Sequence, residues 1–266
     1  MVVHSKILSS VLAILPKTYI SHFLGFLADI KWPKIVLVPA IKLFALTYKI
    51  DLRESGKTLW DFNTFNDFFA RKLKDGVRKI DFSQKVIVSP VDGFVLRFGK
   101  IRKGMLLQAK DTRYFLSDLL MDERLAFDFL GGTYVTFYLA PKNYHRIHSP
   151  YDLSIRKKIH VPGKLFPVNS LGMRNIKNLF PRNERVITMA SNPKLGKVAI
   201  VQVGATVVGR IKTTNKKALK KGQELGVFEL GSAVILIFEK GKVSLSKKLE
   251  MRKELKLGEK IATLTS

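Results

Sequence analysis

Four short segments of the chain concentrate side chains capable of covalent or acid–base chemistry. In Ser89-Pro90-Val91-Asp92-Gly93 a carboxylate sits in a Pro/Gly turn after an apolar run. The run from Tyr138 to Pro150 carries His145 and His148, two of the five histidines, just after a strand-like stretch. Gly163-Lys164-Leu165-Phe166-Pro167-Val168-Asn169 is echoed downstream by Phe180-Pro181-Arg182-Asn183-Glu184-Arg185-Val186. Leu230-Gly231-Ser232-Ala233 stands immediately before the apolar residues 234–238. A serine hydroxyl is a weak nucleophile until a base takes its proton; histidine is the usual base, and a carboxylate fixes its tautomer. Asp92, a histidine and Ser232 are the right types, but spacing alone does not bring them together. His145 and His148, three apart, could equally ligate a metal with Asp92, although no fourth ligand or helical i,i+4 histidine pair accompanies them. Both readings stay open here beside that of ordinary structural histidines.

The elements that would position these groups are β in texture. From about residue 86, runs at 85–88, 93–98, 134–139, 185–190, 197–203 and 233–238 are rich in Val, Ile and aromatics and are punctuated by Gly, Pro and Asn. They predict strands. Residues 58–75 read as a helix, with Phe65, Phe68, Phe69 and Leu73 on one face. The charged tail 247–260 reads as exposed and carries no motif.

The first fifty residues differ. Leu8, Val11, Leu12 and Leu15 fall at helical spacing, as do Ile20, Phe23, Leu24, Leu27 and Ile30 after Pro16. A third apolar stretch spans residues 35–46 around Pro39 and Lys42. None offers the roughly 20 uninterrupted apolar residues of a spanning helix, and residues 7–15 are followed by Pro-Lys-Thr-Tyr, not by a small-residue cleavage site. Short apolar helices edged with Lys, His and Trp suit the plane of a membrane interface; a helical subdomain packed on the core is the alternative.

Charge points the same way. Lys+Arg 47 against Asp+Glu 21 gives +26, a field that gathers polyanions such as nucleic acid or anionic lipid, unless the excess is merely solvated. The absence of cysteine excludes disulfides, thiolate metal sites and cysteine nucleophiles.

The ordered set of motifs resembles the bacterial phosphatidylserine decarboxylases. The resemblance rests on Phe65-Asn66-Asp67-Phe68-Phe69 with Arg71, Leu73, Lys74, Arg78 and Asp81, on Ser89-Pro90-Val91-Asp92-Gly93, and on Tyr144-His145-Arg146-Ile147-His148-Ser149-Pro150. It extends through Leu165-Phe166-Pro167-Val168-Asn169, Asn183-Glu184-Arg185-Val186 and Val203-Gly204-Ala205-Thr206. Four positions depart from the family pattern: Asn143, Val207, Arg210, and Ala233 beside the scissile bond, where the family usually has threonine.

The resemblance implies an α+β protein: membrane-associating helices in 1–57, then a β-rich catalytic core in 58–266 completed by the C-terminal strands. It implies a proenzyme cut between Gly231 and Ser232 into a β chain, 1–231, and an α chain, 232–266. Asp92, His148 and Ser232 would act as a processing triad, with Ser232 becoming a covalent pyruvoyl group. That group would form a Schiff base with phosphatidylserine and release phosphatidylethanolamine, with His145 as the acid/base of decarboxylation. No metal and no nucleic acid are expected. The implied partners are the substrate and an anionic membrane, at the cytoplasmic face of the cell membrane as a peripheral protein; a homo-oligomer is compatible. The same chemistry on another phosphoserine lipid, or a non-catalytic basic module for membranes or RNA, are the competing readings.

Overall fold

The computed structural model describes residues 25–109, 112–206, 210–229 and 231–265. The expected helix at residues 8–15, and residues 20–24 of the one at 20–30, lie outside them; residues 25–29 are helical.

The core is an eight-stranded antiparallel sheet. Its order is Ala218–Leu219, Leu153–Val161, Arg185–Asn192, Gly196–Gly204, Ser232–Phe238, Thr133–Leu139, Gly93–Lys100 and Glu254–Leu255. The strand Ser232–Phe238 runs through its middle and is buried at every residue. Ala233, Ile235 and Ile237 enter one core with Tyr114, Phe129 and Phe180. Val234, Leu236 and Phe238 enter the other with Phe137, Ile147 and Phe228. A strand covered on both faces needs apolar residues on both, which is why 233–238 reads as a continuous apolar run rather than an alternation.

Two three-stranded sheets pack around this one. Val86–Val88, Lys260–Leu264 and Val243–Leu245 form one; Arg210–Thr213, Glu224–Glu229 and Arg146–His148 form the other, which carries the histidine segment. The chain is thus α+β and β-rich, and the six strands expected from the sequence are present to within a residue or two at most ends.

Two expectations require correction. The helix expected over 58–75 is only Phe65–Phe69, preceded by a 3-10 turn at Leu59–Asp61. The Thr64 hydroxyl caps it by accepting from the Asp67 amide at 3.0 Å. Past Ala70 the backbone is drawn into extended pairing: Gly56 N donates to Lys72 O and Lys74 N to Glu54 O, both at 2.9 Å. The aromatic spacing that mimics a long helix instead splits Phe68 and Phe69 between two neighbouring clusters.

The second correction concerns residues 247–260. Leu249, Leu255 and Leu257 are buried, and Glu254–Leu255 forms an edge strand on Gly93–Phe94. Charged neighbours hide these apolar anchors in the sequence.

The third apolar stretch is one helix, Lys34–Tyr48, running through Pro39. Its inner face, Leu37, Ile41 and Ala45, packs on Ile50, Phe62 and Phe68. Its outer positions stand in solvent: Ile35 is 80% exposed, and Leu43 and Leu46 are each 68% exposed. Among the described residues no helix is long and apolar enough to cross a membrane.

Candidate active site

Ser232 opens the central strand, its Cα opposite Gly204 on one side and Leu139 on the other. Gly231 before it adopts φ +25°, a backbone region that side chains disfavour. Ser232 is fully buried and its Oγ has no hydrogen-bond partner. Buried hydroxyls are normally satisfied, so an idle one marks a site held ready for chemistry or for a ligand. Gly231 and Ser232 line a cavity of about 270 Å³, together with Tyr138, Asn169, Thr206 and the aromatic rings of Phe44, Tyr48 and Phe69. Phe44 and Tyr48 come from the helix Lys34–Tyr48, so the helix with the exposed apolar positions also walls the serine cavity.

His145 is next to it. Its ring is fully buried and stacks on Phe69, 4.1 Å between centroids. Nδ1 lies 2.8 Å from the Asn143 carbonyl, and the Leu139 carbonyl, from Ser232's strand partner, also acts on the ring. A carbonyl can only accept, so Nδ1 carries the proton and Nε2 presents a bare lone pair, which has no partner. Burial foremost, and then the Arg71 charge, push the His145 pKa down to about 3, so the ring is neutral at physiological pH.

His148 is engaged elsewhere. Its Nδ1 donates to the Gly222 carbonyl at 2.8 Å, and its Nε2 accepts from the Tyr144 hydroxyl at 3.1 Å. Burial lowers its pKa as well. Asp92, 1% exposed, accepts from Arg78 Nη2 at 2.6 Å, from Arg78 Nε at 3.0 Å and from the Leu257 amide at 2.8 Å. Lys256 Nζ is 3.6 Å away. Arg78 in turn holds Glu54 at 2.7 Å. Burial opposes the Arg78 charge, but the two carboxylates outweigh it and raise its pKa.

The four expected residues fall into two pairs with distinct contacts. Ser232 and His145 share the neighbourhood of Phe69 and Leu139. His148 is tied to the aspartate turn through its backbone amide, which donates to the Pro90 carbonyl at 2.8 Å. Among the described residues no side-chain hydrogen bond joins Asp92, His148 and Ser232 to one another, and no group of three or more His, Asp or Glu is arranged to hold a metal ion.

Two departures from the family pattern acquire reasons. Asn143 donates through Nδ2 to Glu254 at 2.9 Å and accepts from the Ala140 amide at 2.9 Å. An aspartate there could not donate to the glutamate. Ala233 points into the core on the opposite face from Ser232, as strand alternation requires, so its methyl lies away from the serine hydroxyl. Val207 lies outside the described residues. Contacts that the sequence did not reveal are Tyr144 on His148, Gly222 on His148 and Leu257 on Asp92; each joins segments or atoms whose pairing no local pattern encodes.

Arg78 is the counter-charge of the buried Asp92. Replacing it with alanine leaves that carboxylate without its cation, and loss of about 3–5 kcal/mol of stability is expected. Urea unfolding of Arg78→Ala against wild type measures it; an unchanged midpoint would mean that Leu257 and Lys256 suffice.

The sequence profile of the family described as "Phosphatidylserine decarboxylase" matches residues 65–263. The chain is 42% identical to a phosphatidylserine decarboxylase proenzyme from Anaeromyxobacter sp. (strain K), over 96% of this chain and 98% of that protein. It is 41% identical to the proenzyme of the same name from Escherichia coli O9:H4 (strain HS), over 95% of this chain and 86% of that one.

Proposed function

Because the chain belongs to the phosphatidylserine decarboxylase family, we propose that it is a self-cleaving proenzyme that decarboxylates phosphatidylserine to phosphatidylethanolamine. The observation that carries the reading is Ser232: a buried, partnerless hydroxyl directly after a glycine in positive φ, facing a cavity at the start of the central strand.

Self-cleavage begins when a base takes the Ser232 proton and Oγ attacks the Gly231 carbonyl carbon. The C–N bond between the two residues breaks, an ester forms, and residue 232 gains a free amine. Loss of the residue 232 α-proton then expels the Gly231 carboxylate and leaves dehydroalanine. Its imine tautomer takes up water and releases ammonia, leaving a pyruvoyl group as the first residue of the α chain. The site fits that group: the small cavity reaches residue 232, and Phe69, which lines it, stacks on the His145 ring. Once formed, the pyruvoyl group supplies an electron sink for the loss of carbon dioxide.

We assign the base of self-cleavage to His148, with the nearby Asp92 charge favouring its protonated form, and the proton transfers of decarboxylation to His145. Catalytic hydrogen bonds are often long or misaligned before the reacting geometry is reached. On this assignment His148 Nε2 would exchange the Tyr144 hydroxyl for that of Ser232, while Gly222 keeps the tautomer. Mass spectrometry of purified protein tests the reading. Two chains are expected, 1–231 and 232–266, the smaller with a pyruvoyl N-terminus; a single intact chain after prolonged incubation would overturn it.

The proposal includes peripheral attachment to the anionic cytoplasmic face of the cell membrane. Ile35, Leu43 and Leu46 on the outer side of the helix are exposed apolar residues, and the +26 charge adds attraction to anionic lipid. Removing residues 1–50 would also strip the inner face from Phe62 and Phe68, so point changes make the cleaner test. Leu43→Glu with Leu46→Glu removes two insertions of about 1.5 kcal/mol or more each, and about 10²-fold weaker binding to anionic vesicles is expected. Co-sedimentation reads it; unchanged binding moves the contact elsewhere.

A further inference from the structure

A second cavity, of about 540 Å³, lies beside the segment that follows Phe69. It is lined by Gly56, Lys57, Asp67, residues 71–75 and Arg146, and shares no lining residue with the first. Its cations are unequally matched. Lys57 is paired with Asp67 at 2.9 Å and Arg146 with Glu224 at 2.7 Å. Arg71, Lys72 and Lys74 make no ion pair among the described residues, and the one further carboxylate in the lining is Asp75.

Arg71 is the anomaly. It is 5% exposed, and its Nε and Nη1 have no hydrogen-bond partner; Nη2 reaches only the Lys142 carbonyl, at 3.5 Å. Two other arginines, Arg185 buried and Arg78 partly so, show how this fold satisfies such a group. Arg78 takes two carboxylates, and Arg185 takes the carbonyls of Leu119, Asp118, Pro181 and Asn183. Arg71 has neither solution, only the Phe68 ring at 5.2 Å. Burial draws its pKa down to about 10, which leaves it charged at neutral pH. The Glu54 and Asp92 carboxylates act on it only without direct contact; a buried cation with no ion-pair partner is unfavourable, and an anion entering the cavity would relieve it.

We propose that this cavity is a binding site for a phosphate-type anion, with the Arg71 guanidinium as its buried contact and Lys72 and Lys74 at its rim. The guanidinium fork suits a multidentate oxyanion, and three unpaired cations against one carboxylate favour more than one negative charge. The occupant would be either free phosphate or the phosphate of a lipid headgroup. It would sit close to the catalytic region: Phe69 walls the serine cavity and stacks on His145, while Arg71, two residues on, lines this one. Because the Arg71 charge acts on His145, occupancy would make that ring a stronger base.

Isothermal titration of the wild-type protein at constant ionic strength tests the site without reference to decarboxylation. One arm uses inorganic phosphate; the other uses glycerophosphoglycerol, a deacylated lipid headgroup. Saturable binding of at least one probe is expected, weakened about tenfold or more in Arg71→Gln, the scale of one lost charge-assisted hydrogen bond. The same loss is expected in Lys72→Glu/Lys74→Glu, whose side chains are exposed and which decides the matter if Arg71→Gln does not fold. Preference for inorganic phosphate identifies a free anion, and preference for the diester identifies a headgroup. No saturable binding of either probe, or binding undiminished in the folded variants, overturns the proposal.

Discussion

The Ser232→Ala protein is expected to run as one full-length band and to release no carbon dioxide from phosphatidylserine. Both effects follow from a single atom. Without Oγ nothing attacks the Gly231 carbonyl, the chain stays joined, and no pyruvoyl group forms. Stability should not fall. The hydroxyl is buried without a partner, so its removal takes away an unsatisfied polar group and is neutral or mildly stabilising. The experiment therefore pairs a denaturing gel and a carbon dioxide assay with a melting curve. An intact, inactive protein that melts at or above the temperature of the uncut wild-type precursor supports the assignment. Two chains in this variant would remove Ser232 from the cleavage site, whatever the activity.

His145→Ala is expected to separate the two chemistries. On the proposed division of labour the variant still cuts itself, because the cleavage base is His148, but turns over substrate about 10²–10⁴-fold more slowly, the usual loss on removing a positioned acid/base. His145 enters the reaction neutral, with a protonated Nδ1 and a bare Nε2. Its first act must be to accept a proton. The substrate ammonium brings one, Nε2 can return it to the α-carbon after carbon dioxide leaves, and the released amine takes up one proton from solvent, which closes the count. With the pKa lowered to about 3, protonation of the free ring produces no loss of kcat/KM between pH 5 and 8. Failure of the variant to cleave, with its fold intact by circular dichroism, would transfer the cleavage role to His145. That is the imidazole with the unoccupied lone pair in the shared Phe69 and Leu139 neighbourhood. Cleavage with normal turnover would leave it structural.

What could be read from the sequence followed from locality. Residues 233–238 declare a doubly covered strand because every one is apolar. Leu153–Val161 was not visible: it is partly exposed, carries Arg156, Lys157 and Lys158, and shifts register between Ile155 and Lys157, which breaks the period of two. Residues 58–75 misled because aromatic spacing mimics a helix, whereas long-range pairing with residues 54–56 ends it at Ala70. The reactive types at the site were legible, and so was the turn or strand start that bears each. Their partners were not. Nothing near Asp92 announces that Arg78 and the Leu257 amide hold it, and nothing near His148 announces Gly222. These pairings arise only when the sheets close, and a residue's type does not say which of several candidates it will meet.

The position of Ser232–Phe238 in the middle of the sheet would make the proposed cut asymmetric in time. Before it, every strand belongs to one covalent thread, and refolding is a first-order search. Afterwards the α fragment supplies the central strand, two strands of a flanking sheet and an edge strand. It cannot leave without dismantling both cores, so separating the fragments and denaturing the protein become the same event. Once they have parted, recovery requires two flexible pieces to collide, with a rate that falls on dilution. On the proposed cut, the mature protein would inherit a shape that its own pieces rebuild only slowly, and its lifetime would be set by the barrier to leaving that shape.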